Sequence, residues 1–218
     1  MTKGIIFDLD GTLWDSSQSV VNSWNEVLCK YPDAVRPAST EWMHRLMGKT
    51  MTDIENIFFD YLPEERRHAL MQECMEHENE YISKHGGVLF PKLSETLSLL
   101  HRDYHLSIVS NCQTGYIPAF FEAHGLGSYF DDYEEFGRTG LEKTDNIKLV
   151  VQRNKLDQAV YVGDTQGDFE STMMAGLPFI HAAYGFGTAP DYVPGIHEIS
   201  ELPATAEKLF SSMSRKNN

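Results

Sequence analysis

Cysteine is scarce in this 218-residue chain and scattered along it. Cys29, Cys74 and Cys112 are the only three, with no C-x-x-C pair among them. An odd, widely spaced set argues against a disulfide framework and against a zinc site. Long apolar runs are missing too, for no stretch reaches the roughly 18 apolar residues that a membrane-spanning helix requires. The one early apolar run is broken by Asp8 and Asp10, so no secretory signal is expected. Positive charge is also in short supply. Lys and Arg number 18 against 32 Asp and Glu, a formal net charge of −14. A surface that acidic repels phosphodiester backbones and anionic lipid, which removes nucleic acid and membrane from the expected partners. A reduced, cytoplasmic setting is the expectation, and any anionic substrate must be held by local cations or a metal. Monomer and homodimer stay equally open.

What is present suits a globular domain, since 41% hydrophobic residues are enough for a sizeable core. Gly4-Ile5-Ile6-Phe7 is a short apolar run closed by Asp8. Similar runs at His105–Val109, Ala159–Gly163 and Pro178–Ala183 read as strands buried on both faces of a parallel sheet. Between them lie apolar stripes at helical spacing: Leu93/Leu97/Leu100, Ile117/Phe120/Phe121/His124, Ile147/Val150/Val151 and Phe169/Thr172/Met173. That alternation predicts an α/β fold, a Rossmann-like doubly wound parallel sheet that binds ligands at the carboxyl ends of its strands. Residues 15–85 break the pattern. Three helical stripes run there, around Val20–Tyr31, Ile54–Tyr61 and Leu70–Tyr81, with Lys84-His85-Gly86-Gly87 as a return hinge. The expected organisation is a core of residues 1–14 and 86–218 with an α-helical cap of residues 15–85. The polar tail Ser211–Asn218 is expected to fray.

Chemistry is signalled where strands end. In Asp8-Leu9-Asp10-Gly11-Thr12, alternation along an extended chain points Asp8 and Asp10 to one side. Gly11 permits a sharp turn and a close approach of its N–H to an anion. A solvated D-G turn would have the same sequence. Asp164 and Asp168 follow the third core strand, where helix capping alone could explain either one. Gathered at one sheet edge, three or four carboxylates form a hard oxygen site suited to Mg²⁺. Ser110-Asn111 can hold phosphoryl oxygens without adding charge, and Lys143, in the loop Gly140–Thr144, is a cation that such a site lacks. Trp14 beside the first motif reads as packing between core and cap rather than as a stacking platform.

Together these segments resemble the haloacid dehalogenase superfamily: Asp8-Leu9-Asp10-Gly11-Thr12 its first motif, Ser110 its second, Lys143 its third, and Gly163-Asp164 with Asp168 its fourth. The helical insert is similar to the cap of the phosphoglycolate-phosphatase-like branch, with Met47-Gly48-Lys49-Thr50 as the loop facing the site. The same Gly48-Lys49-Thr50 is not a P-loop, because the first glycine would fall at Met43. Prolines often flank the third-motif lysine in this branch and are absent around Lys143, which leaves Lys148 as the rival.

The resemblance implies a Mg²⁺-dependent phosphatase acting on a small phosphorylated metabolite. Asp8 would be the nucleophile and Asp10 the general acid and base. Gly11, Thr12, Ser110, Asn111 and Lys143 would bind phosphate. Asp8, the Asp10 carbonyl and Asp164 would hold the metal, with Asp168 a ligand or one shell out. Lys49 and Arg45 would select the leaving group. A sugar-phosphate mutase of the same fold stays open. A phosphonate hydrolase or a dehalogenase is disfavoured by the intact Asp8–Asp10 pair, and a receiver domain by the helical insert. A non-catalytic scaffold of the family is the alternative from another class.

Overall fold

The structure, a computed structural model, describes residues 1–216. Strand β1 (Lys3–Phe7) opens the core and is followed by the two-residue strand β2 (Trp14–Asp15). Four helices come next: α1 (Ser17–Leu28), α2 (Thr40–Leu46), α3 (Met51–Phe58) and the long α4 (Glu64–His85). After β3 (Val88–Leu89) the chain alternates through α5 (Leu93–Leu100), β4 (His105–Ser110), α6 (Tyr116–His124) and β5 (Asp132–Glu135). The short α7 (Phe136–Thr139) precedes α8 (Lys143–Arg153), β6 (Gln158–Gly163), α9 (Gln166–Ala175), β7 (Phe179–Ala182), β8 (Gly195–Ile196) and α10 (Leu202–Lys216).

Six strands form one sheet in the order β5-β4-β1-β6-β7-β8, every pairing parallel. Both faces are covered, and β1 shows it directly. Ile5 and Phe7 belong to one apolar cluster and Ile6 to another, as the two-residue alternation of a strand requires. All three are fully buried. The strand order reverses around β1, so the carboxyl ends of β1, β4 and β6 border one crevice.

The four expected strands are all present, and two more complete the sheet. β5 was illegible because its sequence, Asp-Tyr-Glu-Glu, has no apolar run. Its acids are compensated instead: Arg153 binds Asp132 at 2.6 Å and Glu134 at 2.6 Å, and Arg138 reaches Glu134 at 2.7 Å. The helical stretch holds four helices rather than three. The extra one, α2, turns only Met43 and Leu46 inward, too few residues to make a stripe, and is capped by Ser39, whose hydroxyl accepts from the Trp42 N–H at 3.3 Å. In the last sheet helix Phe169 and Thr172 are buried as expected, but Met173 faces out at 54% exposure. The C-terminal tail also differs from expectation, for α10 runs to Lys216; the end of the tail, residues 217–218, lies outside the described residues.

Two passages join core and helices, and β2 and β3 pair antiparallel across them, Trp14 opposite Leu89. Gly86 caps α4 with φ +64°, a left-handed conformation that costs a glycine little. Trp14 is fully buried there, edge-on to Phe120 at 4.9 Å and to His124 at 5.3 Å.

The Arg153 bridge yields a stability prediction. Burial pushes Asp132 and Glu134 toward the neutral acid, but hydrogen bonds outweigh it and hold both below the usual carboxylate range: Arg153 and Asn154 on Asp132, Arg138 and Arg153 on Glu134. Depressed acids stabilise the fold above their unfolded values of about 4 and lose that contribution as pH falls through the folded ones. Arg153→Ala should therefore cost about 1–3 kcal/mol at pH 7, with the gap to the parent closing below pH ~4. Urea titrations at both pH values check this, and a gap that does not depend on pH would contradict it.

Candidate active site

Asp8 follows β1 directly, and its backbone N–H still donates to the Val162 carbonyl of β6 at 2.8 Å, which continues the parallel ladder past the strand end. The next residue, Leu9, is fully buried, so the chain alternates as an extended segment should. Gly11 then adopts φ +82°, and a Cβ at that position would run into the Asp164 carboxylate. Only glycine lets the two strand ends close up here.

Around that contact the structure gathers four charged side chains. Lys143 is buried at 3% exposure, with Nζ donating to Asp8 Oδ1 at 2.8 Å and to Asp168 Oδ1 at 2.5 Å. Carboxylate oxygens of Asp8, Asp164 and Asp168 lie within 4.8 Å of one another. Asp164 accepts from the backbone N–H groups of Phe186 at 2.7 Å and Gly187 at 3.3 Å. Asp168 serves two ends at once. Its Oδ2 accepts from the Thr165 N–H at 3.0 Å in a capping box that starts α9, while its Oδ1 holds Lys143. Helix capping and site assembly, rival explanations at the level of sequence, are both true of this one residue.

The electrostatics follow from crowding in a dry place. Burial, then the nearby Asp168 charge, pushes the Asp8 carboxyl well above its ordinary value. Asp164 is pushed up to about 7 by burial and by Asp168. Burial works against the Lys143 charge, yet Asp168 and Asp8 outweigh it and hold the ammonium firmly protonated. Asp10 stands slightly apart. Its Oδ1 accepts from the Ser16 hydroxyl and from Tyr116 Oη at 3.0 Å, and burial raises it despite those bonds.

A cleft with about 530 Å³ of space open to solvent runs from this cluster beneath the helical segment. Asp8, Asp10, Ser110 and Asn111 line its floor, and Lys49 and Met47 its upper wall. Asn111 donates from Nδ2 to the Gly48 carbonyl at 2.8 Å, tying the loop of residues 47–50 to the sheet edge.

Most expected residues therefore converge, and four are placed differently. Lys143 is the first residue of α8, not part of a loop, and the helix start aims it inward. Gly11 and Thr12 offer no free donor to an anion: the Gly11 N–H is held by the Trp14 carbonyl at 2.9 Å and the Thr12 N–H by Leu9 at 3.3 Å. The buried Thr12 hydroxyl faces Asp164 Oδ1 at 3.5 Å instead. Arg45 is exposed and turned to Glu41 at 2.6 Å and to the Trp42 ring, one helix face away from the cleft lining. Lys148, the rival lysine, is exposed and paired with Asp145 at 3.4 Å. Tyr116, Gln113 and Glu78 line the cleft without having been expected to. Glu78 did leave a signal, since it stands four residues after Cys74 on an otherwise apolar helix stripe.

Known proteins resemble this chain in sequence and in fold. A family model described as haloacid dehalogenase-like hydrolase matches residues 5–182. The phosphoglycolate phosphatase of Escherichia coli (strain K12) is 24% identical over 84% of this chain and 82% of its own. A haloacid dehalogenase-like family hydrolase from Streptococcus pneumoniae superposes with a TM-score of 0.79 at 24% identity, over 94% of this chain and 98% of that one. The β-phosphoglucomutase of Clostridium difficile gives a TM-score of 0.77 at 13% identity, over 98% and 100%. At such identities the two structures speak for the fold alone.

The two lysines should separate cleanly in a stability measurement. Lys143→Met strands Asp8 and Asp168 in a buried site without their cation and should cost about 3–5 kcal/mol at neutral pH. Lys148→Met removes an exposed pair and should stay within about 0.5 kcal/mol of the parent. Equal denaturation midpoints for the two variants would show that the buried cluster does not depend on Lys143.

Proposed function

The chain belongs to the haloacid dehalogenase-like hydrolase family, and from that premise we propose that it is a Mg²⁺-dependent phosphatase, cleaving small phosphate monoesters by way of an aspartyl-phosphate on Asp8. The observation that carries the proposal is the buried meeting of Asp8, Asp164 and Asp168 around Lys143, at the foot of a cleft that also exposes Asp10.

The donor set fits a hard divalent cation: three carboxylates, all oxygen, with a single lysine among them. Asp8, Asp164 and, by family resemblance, the Asp10 carbonyl would hold Mg²⁺, which would supply the charge that lets a carboxylate meet a phosphate dianion.

The remaining chemistry belongs to the protein. Lys143 takes one oxygen of Asp8, which orients the other toward phosphorus. Asp8 attacks, the bond between phosphorus and the ester oxygen breaks, and Asp10 gives its proton to the departing alkoxide. The raised carboxyl of Asp10 suits that proton-donor role. In the second half Asp10 takes a proton from water, whose oxygen displaces Asp8 from phosphorus and releases inorganic phosphate. Ser110 and Lys143 bind the phosphoryl oxygens as they gain charge. Residues 15–85 act as a cap that moves on the β2–β3 passages and Gly86, shutting water out while the Asn111–Gly48 bond is made. Lys49, exposed on the cap loop, meets the substrate at the cleft mouth.

A phosphate-release screen over a metabolite panel, with and without Mg²⁺, tests the proposal. Asp8→Asn should lose roughly a thousandfold or more in kcat, and Asp10→Asn about 10²–10⁴-fold. Turnover by Asp8→Asn close to that of the parent would sink the covalent route.

A further inference from the structure

The cleft also carries a buried carboxylate for which the chemistry above has no use. Glu78, on α4, is 4% exposed and lines the same cavity as Asp8 and Asp10. Its Oε2 accepts from the Trp24 indole N–H, and its Oε1 from Gln113 Nε2 at 3.1 Å. Gln113 Nε2 also donates to Asn79 Oδ1 at 3.2 Å, so its amide hydrogens are both engaged and only its carbonyl oxygen is left over. Tyr116 likewise gives its hydroxyl proton to Asp10. The side-chain donors of Trp24, Gln113 and Tyr116 are thus already engaged, and what these residues and Glu78 leave toward the cavity is a set of acceptors. The rest of the wall is apolar and rich in methionine, with Met43, Met47 and Met51 beside Val20 and Ile54. Lys49 is the one lysine of the lining, and it is exposed on the cap loop where water solvates it.

Resting on the phosphatase reading, we infer that this cavity selects phosphate esters whose alcohol carries a hydroxyl or amino donor on an apolar body, with Glu78 accepting that donor. Esters bearing a second acidic group, such as a carboxylate, are turned away. A carboxylate there would lie beside a like charge with no buried donor to receive it, a penalty that selects by repulsion as much as by fit. A donor-bearing group meets the opposite situation, because each carboxylate oxygen of Glu78 has a lone pair beyond the bond it already accepts. The thioether wall adapts to apolar bodies of differing shape.

Three esters of nearly equal size test this: 2-hydroxyethyl phosphate, phosphoethanolamine and phosphoglycolate, with para-nitrophenyl phosphate as a general reporter of phosphatase activity. Assays with Mg²⁺ at pH 8 lie above the value of about 7 to which burial raises Glu78. On the native enzyme kcat/KM for the first two should exceed that for phosphoglycolate by about tenfold or more. Glu78→Gln should raise the ratio of phosphoglycolate to phosphoethanolamine by about tenfold, and a ratio taken within one preparation cancels any loss of folded enzyme. Should the variant fail to fold, the ranking on the native enzyme decides. Phosphoglycolate matching or beating the other two, or a ratio that Glu78→Gln leaves unmoved, overturns the inference while the phosphatase reading stands. Release from none of the four esters removes that reading, and this inference with it.

Discussion

One buried ammonium holds the centre of this protein together. Lys143 lies between Asp8 at 2.8 Å and Asp168 at 2.5 Å, and with Asp164 close by the cluster carries three acids against one base. Desolvation makes each unpaired charge expensive, so the arrangement persists only because every member is tied to the backbone on a different element. Asp8 is fixed by the β1–β6 ladder, Asp164 by the amides of residues 186 and 187, Asp168 by the capping box of α9 and Lys143 by the start of α8. The excess of negative charge that remains is what a divalent cation would offset. Stability and chemistry are here the same electrostatic problem.

The fold supplies what that cluster needs and little else. Parallel strands deliver their carboxyl ends to one edge, and the reversal of strand order around β1 opens a crevice there. The helical segment closes the crevice from above and brings the apolar wall and Glu78. The helical segment meets the core through the packing of α4 on α6 and through the Asn111–Gly48 and Gln113–Glu78 bonds, and is joined to it by the short β2–β3 ladder. A floor built on strand ends and a roof built on an insert are separate parts of the chain, so each can change without the other.

Much of this was legible in the chain, and particular residues show why. Strands β1, β4, β6 and β7 read clearly because a strand covered on both faces is a continuous apolar run. Strand β5 did not, since its burial is made tolerable by Arg153 and Arg138, one of them 19 residues downstream of Glu134. Asp8, Asp10 and Asp164 could be brought to one sheet edge from the chain alone, because each follows an apolar run that reads as a strand. Thr12 and Gly11 were given a phosphate-binding part that their engaged N–H groups do not support. Arg45 was expected beside Lys49 at the leaving group, whereas the helix turns it onto Glu41. Which way a side chain points around a helix one or two turns long depends on what packs against it, and spacing alone carries little of that.

The sequence by itself determined the class of fold, the acids that strand ends present, and the family to which they belong, because these depend on local periodicity and on residue type. Only the tertiary structure decided that Lys143 rather than Lys148 enters the site, that Asp168 caps a helix and holds that lysine with its two oxygens, and that Glu78 meets Trp24 and Gln113 over the cleft. Apart from the local Thr165–Asp168 cap, each of those outcomes joins residues tens of positions apart through a contact of about 3 Å. Distances of that kind exist only once the elements have packed.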